Sequence, residues 1–225
     1  MLKEFTLGIL TRDVQYQRAV GDAGNPQSYQ FAVRIKSVGD PTQSITFADQ
    51  QQLPLFIQAA KELENEGANM ITTTCGFLVI FQDELAAAVK VPIISSSLLQ
   101  VPLVYRIFGR RIGIITANTQ VLGLDRLKAA GIEGIPIAIE GMVPKKYFTE
   151  GHWQNGKDLN IKMIEKEVLE TAQTLLSKHP DIAAFVLECH NLPPYSKCLR
   201  QTTGLPVFDI LTLIESTYRG MVEQI

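Results

Sequence analysis

Cysteine is scarce, three residues in a chain of 225, and the odd number argues for free thiols rather than a disulfide framework. Basic residues form no dense run, and 21 of them meet 23 acidic residues for a formal charge of −2. Nucleic-acid binding draws its affinity from neutralising phosphates, so that class of partner is excluded. No apolar stretch approaches the roughly 18 to 20 residues that span a bilayer, which removes a membrane partner. Met1-Leu2-Lys3-Glu4-Phe5-Thr6 shows no charged region, apolar core and small-residue cleavage site in succession, and the expected location is cytoplasmic. Neither a GxGxxG nor a GxxxxGKS/T element occurs, so nucleotide binding has no motif behind it. Close ligand pairs are also missing, and Cys75, Cys189 and His190 leave a zinc ion without a complete set; no metal is expected.

What the chain does have is an apolar fraction of 46%, ample for a core in one large domain or two compact lobes. It also repeats itself. Met70-Ile71-Thr72-Thr73-Thr74-Cys75-Gly76-Phe77 and Ala184-Phe185-Val186-Leu187-Glu188-Cys189-His190-Asn191 are short β-rich runs that end near a cysteine. Each leads into a helix-like segment and, at the same distance, into a Pro-headed apolar run at Pro92 and Pro206. Leu7-Gly8-Ile9-Leu10-Thr11 is echoed by Ile112-Gly113-Ile114-Ile115-Thr116 at the head of the second half.

Between these landmarks, Phe31 to Val38 alternates as a half-exposed strand does. Asp49 to Glu66 sets Leu53, Phe56, Ile57, Ala60 and Leu63 at helical spacing and stops at Gly67. Ile161 to His179 carries a stripe of Ile161, Ile164, Val168, Ala172 and Leu175 suited to the core. Gly21 to Ser28 reads as a long surface loop or lid, Pro41 to Thr46 as another turn-rich piece, and Gly141 to Asp158 as a long irregular segment. Alternating strands and helices call for an α/β fold of two similar lobes, each a short parallel sheet flanked by helices, related by pseudo-twofold symmetry. Residues 1–104 with 211–225 are expected to form the lobe carrying Cys75, and 105–210 the lobe carrying Cys189. The last helix is expected to cross back and cover an apolar face of the first lobe.

Ligands of open α/β sheets collect at the carboxyl ends of strands. That rule groups Thr11, Arg12, Thr74, Gly76, Phe77, Thr116, Asn118, Thr119, His190 and Asn191 as candidate substrate-binding residues around Cys75 and Cys189. Arg12 can meet a carboxylate, and Gly76 lets a ligand approach closely. Backbone N–H groups around Gly76 and His190, with the threonine hydroxyls, can hold negative charge as it spreads onto a carboxylate. His190 adjoins Cys189 and can tune it or touch substrate. Glu188 is read as pointing to the other face of its strand end, and Cys198, without a counterpart in the first half, as structural. Two thiols facing across a cleft suit inversion of a stereocentre, one taking the α-proton while the other delivers a proton to the opposite face. A free thiol with pKa ~8.5 is only a few per cent ionised at neutral pH. Lowering one thiol's pKa by about 1.5 units, worth roughly 2 kcal/mol, makes thiolate abundant, and the expected source is a helix N-terminus, just after Cys75 in one lobe and near Pro193-Pro194 after Cys189 in the other.

Gly8-Ile9-Leu10-Thr11 and Gly113-Ile114-Ile115-Thr116-Ala117-Asn118 at the lobe heads, with the two cysteine motifs, resemble the aspartate/glutamate/hydantoin racemase superfamily over essentially the whole chain. The resemblance implies a cofactor-independent isomerase that racemises or epimerises an amino acid or related α-carboxylate, with Cys75 and Cys189 as paired acid and base. Amino-acid racemases of the superfamily commonly carry Thr or Asn after each cysteine, where this chain has Gly76 and His190. Glutamate racemases carry an acidic residue and a serine after the first strand, where this chain reads Thr11-Arg12-Asp13. Phe77 and the missing polar side chain point to a less polar or bulkier substrate. Two other readings fit the same residues: a single-cysteine decarboxylase or cis-trans isomerase of this superfamily, and a small-ligand sensor without turnover. The expected partner is a small molecule with a carboxylate, and a homodimer paired through twofold contacts suits a chain of this size.

Overall fold

The computed structural model describes residues 5–12, 17–39, 50–143, 145–153 and 159–222, the side chain of Trp153 excepted. Asp13 and the turn-rich piece from Pro41 to Thr46 lie outside them. The first half runs β1 (Thr6–Arg12), β2 (Ala32–Val38), α1 (Leu53–Asn65), β3 (Met70–Thr73), α2 (Gln82–Ala88), β4 (Ile93–Ile94) and α3 (Val101–Phe108). The second runs β5 (Ile112–Thr116), α4 (Thr119–Ala129), β6 (Ile137–Gly141), α5 (Lys146–Phe148), α6 (Ile161–Lys178), β7 (Ala184–Leu187), α7 (Ser196–Thr203), β8 (Val207–Phe208) and α8 (Ile210–Val222). Strand order is β2-β1-β3-β4 in one sheet and β6-β5-β7-β8 in the other, with every pair parallel. Strands covered on both faces read as unbroken apolar runs, and Ile112, Ile114, Ile115 and Ala184 to Leu187 are completely buried.

The duplication extends to single hydrogen bonds. Ile71 N–H donates to the Pro92 carbonyl and Phe185 N–H to that of Pro206, both at 2.9 Å. Thr74 N–H donates to Leu10 O at 3.0 Å and Glu188 N–H to Ile115 O at 2.8 Å, so the residue before each cysteine is pinned to the neighbouring strand in the same way. Gly8 and Gly113 are matched too. A Cβ on Gly8 would lie 3.0 Å from Leu63 Cδ1 and one on Gly113 2.8 Å from the Phe185 ring, so both strands pass beneath bulky side chains that leave no room for a substituent.

The structure corrects several local expectations. The helix after Cys75 is 3₁₀ rather than α over Gly76–Phe81, before α2 starts, and the one after Cys189 begins at the expected Pro193, likewise with a 3₁₀ turn, Pro193–Tyr195, before α7. The segment after Gly141 is partly helical, with α5 running into a π turn at Thr149–Trp153; residues 154–158 lie outside the described set. The Gly21 to Ser28 stretch is not a free lid. Asp22 and Ala23 are buried, Ala23 N–H donates to His190 O at 3.2 Å, and a Cβ on Gly21 (φ 99°) would meet Pro194 at 3.0 Å. The loop after β1 therefore straps the second lobe's cysteine turn.

Helix α8 lies on the first sheet, where Ile210 and Ile214 pack with Phe5, Leu7, Ile9 and Met70. Burying a side chain of that kind stabilises by about 1.5–3 kcal/mol, so this contact ties the chain's two ends together. Among the described residues no helix is long and apolar enough to cross a membrane.

Candidate active site

The turns after β3 and β7 meet at the seam between the lobes. Cys75 is half-buried and packs against the apolar clusters of both lobes, while Cys189 is 8% exposed. A negative charge on Cys75 pushes up the pKa of Cys189, so the two sulfurs share one electrostatic site. Each thiol faces the backbone N–H two residues on, that of Phe77 for Cys75 and that of Asn191 for Cys189. Repeated sequence has become repeated sulfur geometry.

The expected lowering of the thiol pKa values is reversed. Burial, followed by the Glu188 carboxylate, pushes Cys75 up to about 11; Arg12, the Phe77 N–H and Arg126 pull it back down. Cys189 is raised well above the ordinary thiol range by burial and then by Glu188, with Asp22 adding to the rise. Desolvation penalises the charged form, and no α-helix N-terminus stands at either sulfur to offset it.

Glu188 is the largest departure from the sequence reading. Its side chain does not point away: Oε2 accepts from Thr116 Oγ1 at 2.7 Å, and the Ala117 N–H favours the ionised carboxyl. A Cβ on Gly76 would collide with the Glu188 carbonyl and with Oε1, so this carboxylate lies directly against the residue after Cys75. Gly76 thus makes room for a side chain of the other lobe, which replaces the expectation that its small size serves a ligand. Oε1 is buried and has no hydrogen-bond partner among the described residues. Burial pushes the carboxyl up to about 7, opposed by Thr116, the Ala117 N–H and Arg126. Strand alternation misassigned Glu188 because β7 ends at Leu187 and the chain is already turning. The repeat held the usable signal. In the first lobe Thr74, at the equivalent place, donates to Thr11 Oγ1 at 3.1 Å, and Thr11 and Thr116 each follow the residue paired with the last position of the cysteine strand, Leu10 with Thr73 and Ile115 with Leu187.

Around this centre, His190 Nδ1 lies 2.8 Å from the Thr73 carbonyl, which requires Nδ1 to be the donor. Burial pushes the imidazole down to about 4, so it is neutral at pH 7. Asn191 Nδ2 donates to Asp22 Oδ2 at 2.6 Å, and its Oδ1 accepts from the Cys189 thiol at 3.6 Å. Asp22 Oδ1 also accepts from Arg18 Nη1 and Gly24 N–H, each at 2.7 Å. Sequence reasoning passed over Asp22, because a loop aspartate carries no sign of a partner 169 residues away. Phe77 is buried beneath Arg126, whose guanidinium lies 5.7 Å from the ring centre and whose Nε donates to Phe77 O at 3.2 Å.

The structure therefore brings Thr11, Arg12, Thr74, Gly76, Phe77, Thr116, His190 and Asn191 to the two cysteines. Asn118 caps α4, as the sequence allows, its Oδ1 accepting from Gln120 and Val121 N–H at 2.9 and 3.4 Å, and Thr119 is exposed at the head of that helix. Cys198 lies in α7, with its thiol donating to Tyr195 O at 2.9 Å. Among the described residues no group of three His, Cys, Asp or Glu side chains is arranged to hold a metal ion.

No protein-family model matches the chain. Among curated proteins it is 29% identical to a dimethylsulfoniopropionate lyase of Durusdinium sp. clade D, over 99% of this chain and 77% of that one. It is 28% identical to dimethylsulfoniopropionate lyase 7 of Emiliania huxleyi (strain CCMP1516), over 97% of this chain and 67% of that one. Among solved structures, a mutant of arylmalonate decarboxylase matches with a TM-score of 0.65 at 14% identity, covering 97% of this chain and 94% of that one. An aspartate racemase homologue from Pyrococcus horikoshii OT3 matches with a TM-score of 0.62 at 15% identity, covering 96% and 98%. The two-lobe α/β fold that the sequence resemblance implied is thus shared with arylmalonate decarboxylase and with this aspartate racemase homologue. The activity read from it is corrected. The curated relatives are named lyases, which overturns both the racemase mechanism and the assignment as an isomerase.

Proposed function

We propose that this protein is a lyase that removes the α-proton of a small β-sulfonio carboxylate and expels a neutral sulfide, with dimethylsulfoniopropionate as the substrate. The observation that carries this is the similarity to named dimethylsulfoniopropionate lyases along 99% of the chain. The bond changes follow from the substrate's constitution. The Cα–H bond breaks, its electron pair becomes the Cα=Cβ double bond, and the Cβ–S bond breaks with its pair retained on sulfur. The products are acrylate and dimethyl sulfide, and the proton goes to the base.

Such an elimination takes a proton from one face only, so one base is enough and the second thiol has no proton to return. Cys75 suits the role better. It is half-buried, and there Arg12 and Arg126 oppose the Glu188 carboxylate that raises both thiols, whereas Cys189 is more deeply buried and has the negative charges of Cys75 and Asp22 added to that of Glu188. Arg12 and the hydroxyls of Thr11 and Thr74 stand at the carboxyl ends of β1 and β3, suited to the substrate carboxylate. The test is to incubate the purified protein with dimethylsulfoniopropionate, follow dimethyl sulfide by headspace gas chromatography and follow acrylate by NMR. Equimolar sulfide and acrylate are expected. Intact substrate, or carbon dioxide in place of sulfide, would overturn the reading.

A further inference from the structure

We propose that Glu188 is the proton acceptor that converts Cys75 to its thiolate, a positioning residue acting through the sulfur across the lobe seam. The inference rests on the lyase reading and deepens it. Three placements support it: Oε1 is buried without a partner among the described residues, Oε2 is held by Thr116, and the carboxylate lies against Gly76, next to Cys75. An unpaired carboxylate oxygen in a dry seam is costly unless it has a proton to take.

The thiol makes no hydrogen bond to Oε1 in this structure, so in the proposed step it first turns toward Oε1; the Cys75 S–H bond then breaks and an O–H bond forms on Glu188 Oε1. The thiolate then takes the substrate α-proton and becomes a thiol again, and Glu188 releases its proton to solvent, so one proton leaves for each acrylate formed. The two groups thus share a single negative charge. Glu188 raises the thiol while ionised, and the repulsion vanishes once Glu188 holds the proton. The charged and titratable groups around the pair are Cys75, Cys189 and Arg126 of α4 toward Glu188, Arg12 of β1 toward Cys75, and Asp22 toward Cys189.

The test separates thiol reactivity from turnover. In Glu188→Gln, which removes the charge and the acceptor together, iodoacetamide alkylation of Cys75 mapped by mass spectrometry moves to lower pH. Sulfide release nevertheless falls by about tenfold or more and loses its acid limb, which the wild type shows near pH 7 because Glu188 must be ionised to accept. Release that rises in step with alkylation, or an unchanged alkylation profile, would overturn the inference. If Glu188→Gln does not fold by circular dichroism, Thr116→Val removes one bond to the carboxylate, and the acid limb then moves to higher pH; an unmoved limb would overturn it. Alkylation needs no substrate, so a wild type that releases no sulfide counts against the lyase reading alone.

Discussion

Cys75→Ser lowers sulfide release by about 10³-fold, because a serine hydroxyl cannot ionise where a thiol is already held at about 11. Cys189→Ser has a smaller effect, about tenfold, since its sulfur orders the seam without receiving the substrate proton. Steady-state kinetics on both variants, each checked for an unchanged circular dichroism spectrum, reads this asymmetry. Equal losses would mean that both thiols take part in the chemistry, which an elimination from one face does not require. The asymmetry comes from charge: the Glu188 carboxylate raises both thiols, but the guanidinium groups of Arg12 and Arg126 oppose it at Cys75 whereas Asp22 adds to it at Cys189.

Asp22→Ala destabilises the protein by about 3 kcal/mol, the order expected when one member of a buried charge pair is removed. Arg18, the Gly24 N–H and Asn191 Nδ2 would each lose a partner at 2.6–2.7 Å, and Asp22 is 1% exposed, so water cannot readily take its place. Urea denaturation measures the loss. Because Asn191 also accepts from the Cys189 thiol, alkylation of Cys189 should accelerate in the same variant under native conditions. A change below about 1 kcal/mol would show that the strap is peripheral to the fold.

The parallel sheets and the duplication were legible because burial on both faces leaves a plain mark, short apolar strands ending at equivalent cysteines, and because the Pro92 and Pro206 carbonyls accept equivalent bonds. Contacts between lobes were not legible. Local composition makes Gly21 to Ser28 look like surface loop, yet Asp22 and Ala23 are held by Asn191 and His190 from the opposite end of the chain. Glu188 was assigned by alternation at the point where alternation stops, and Gly76 was given to a ligand when it yields to that carboxylate. The direction of the thiol shift failed for a related reason: a cysteine before a helix-like run looks activated, but 3₁₀ turns and desolvation decide its ionisation. Chemistry was the hardest to read, since one fold hosts different reactions and the fold alone does not choose among them.

The central claim is that a single base, Cys75, draws one particular α-hydrogen from the substrate. Two samples of dimethylsulfoniopropionate, each carrying one deuterium at the α-carbon in opposite configurations, address it directly. One should give deuterium-free acrylate with slowed sulfide release, and the other labelled acrylate at the ordinary rate. Equal deuterium loss from both, or label exchanging with solvent while no sulfide appears, would contradict the account.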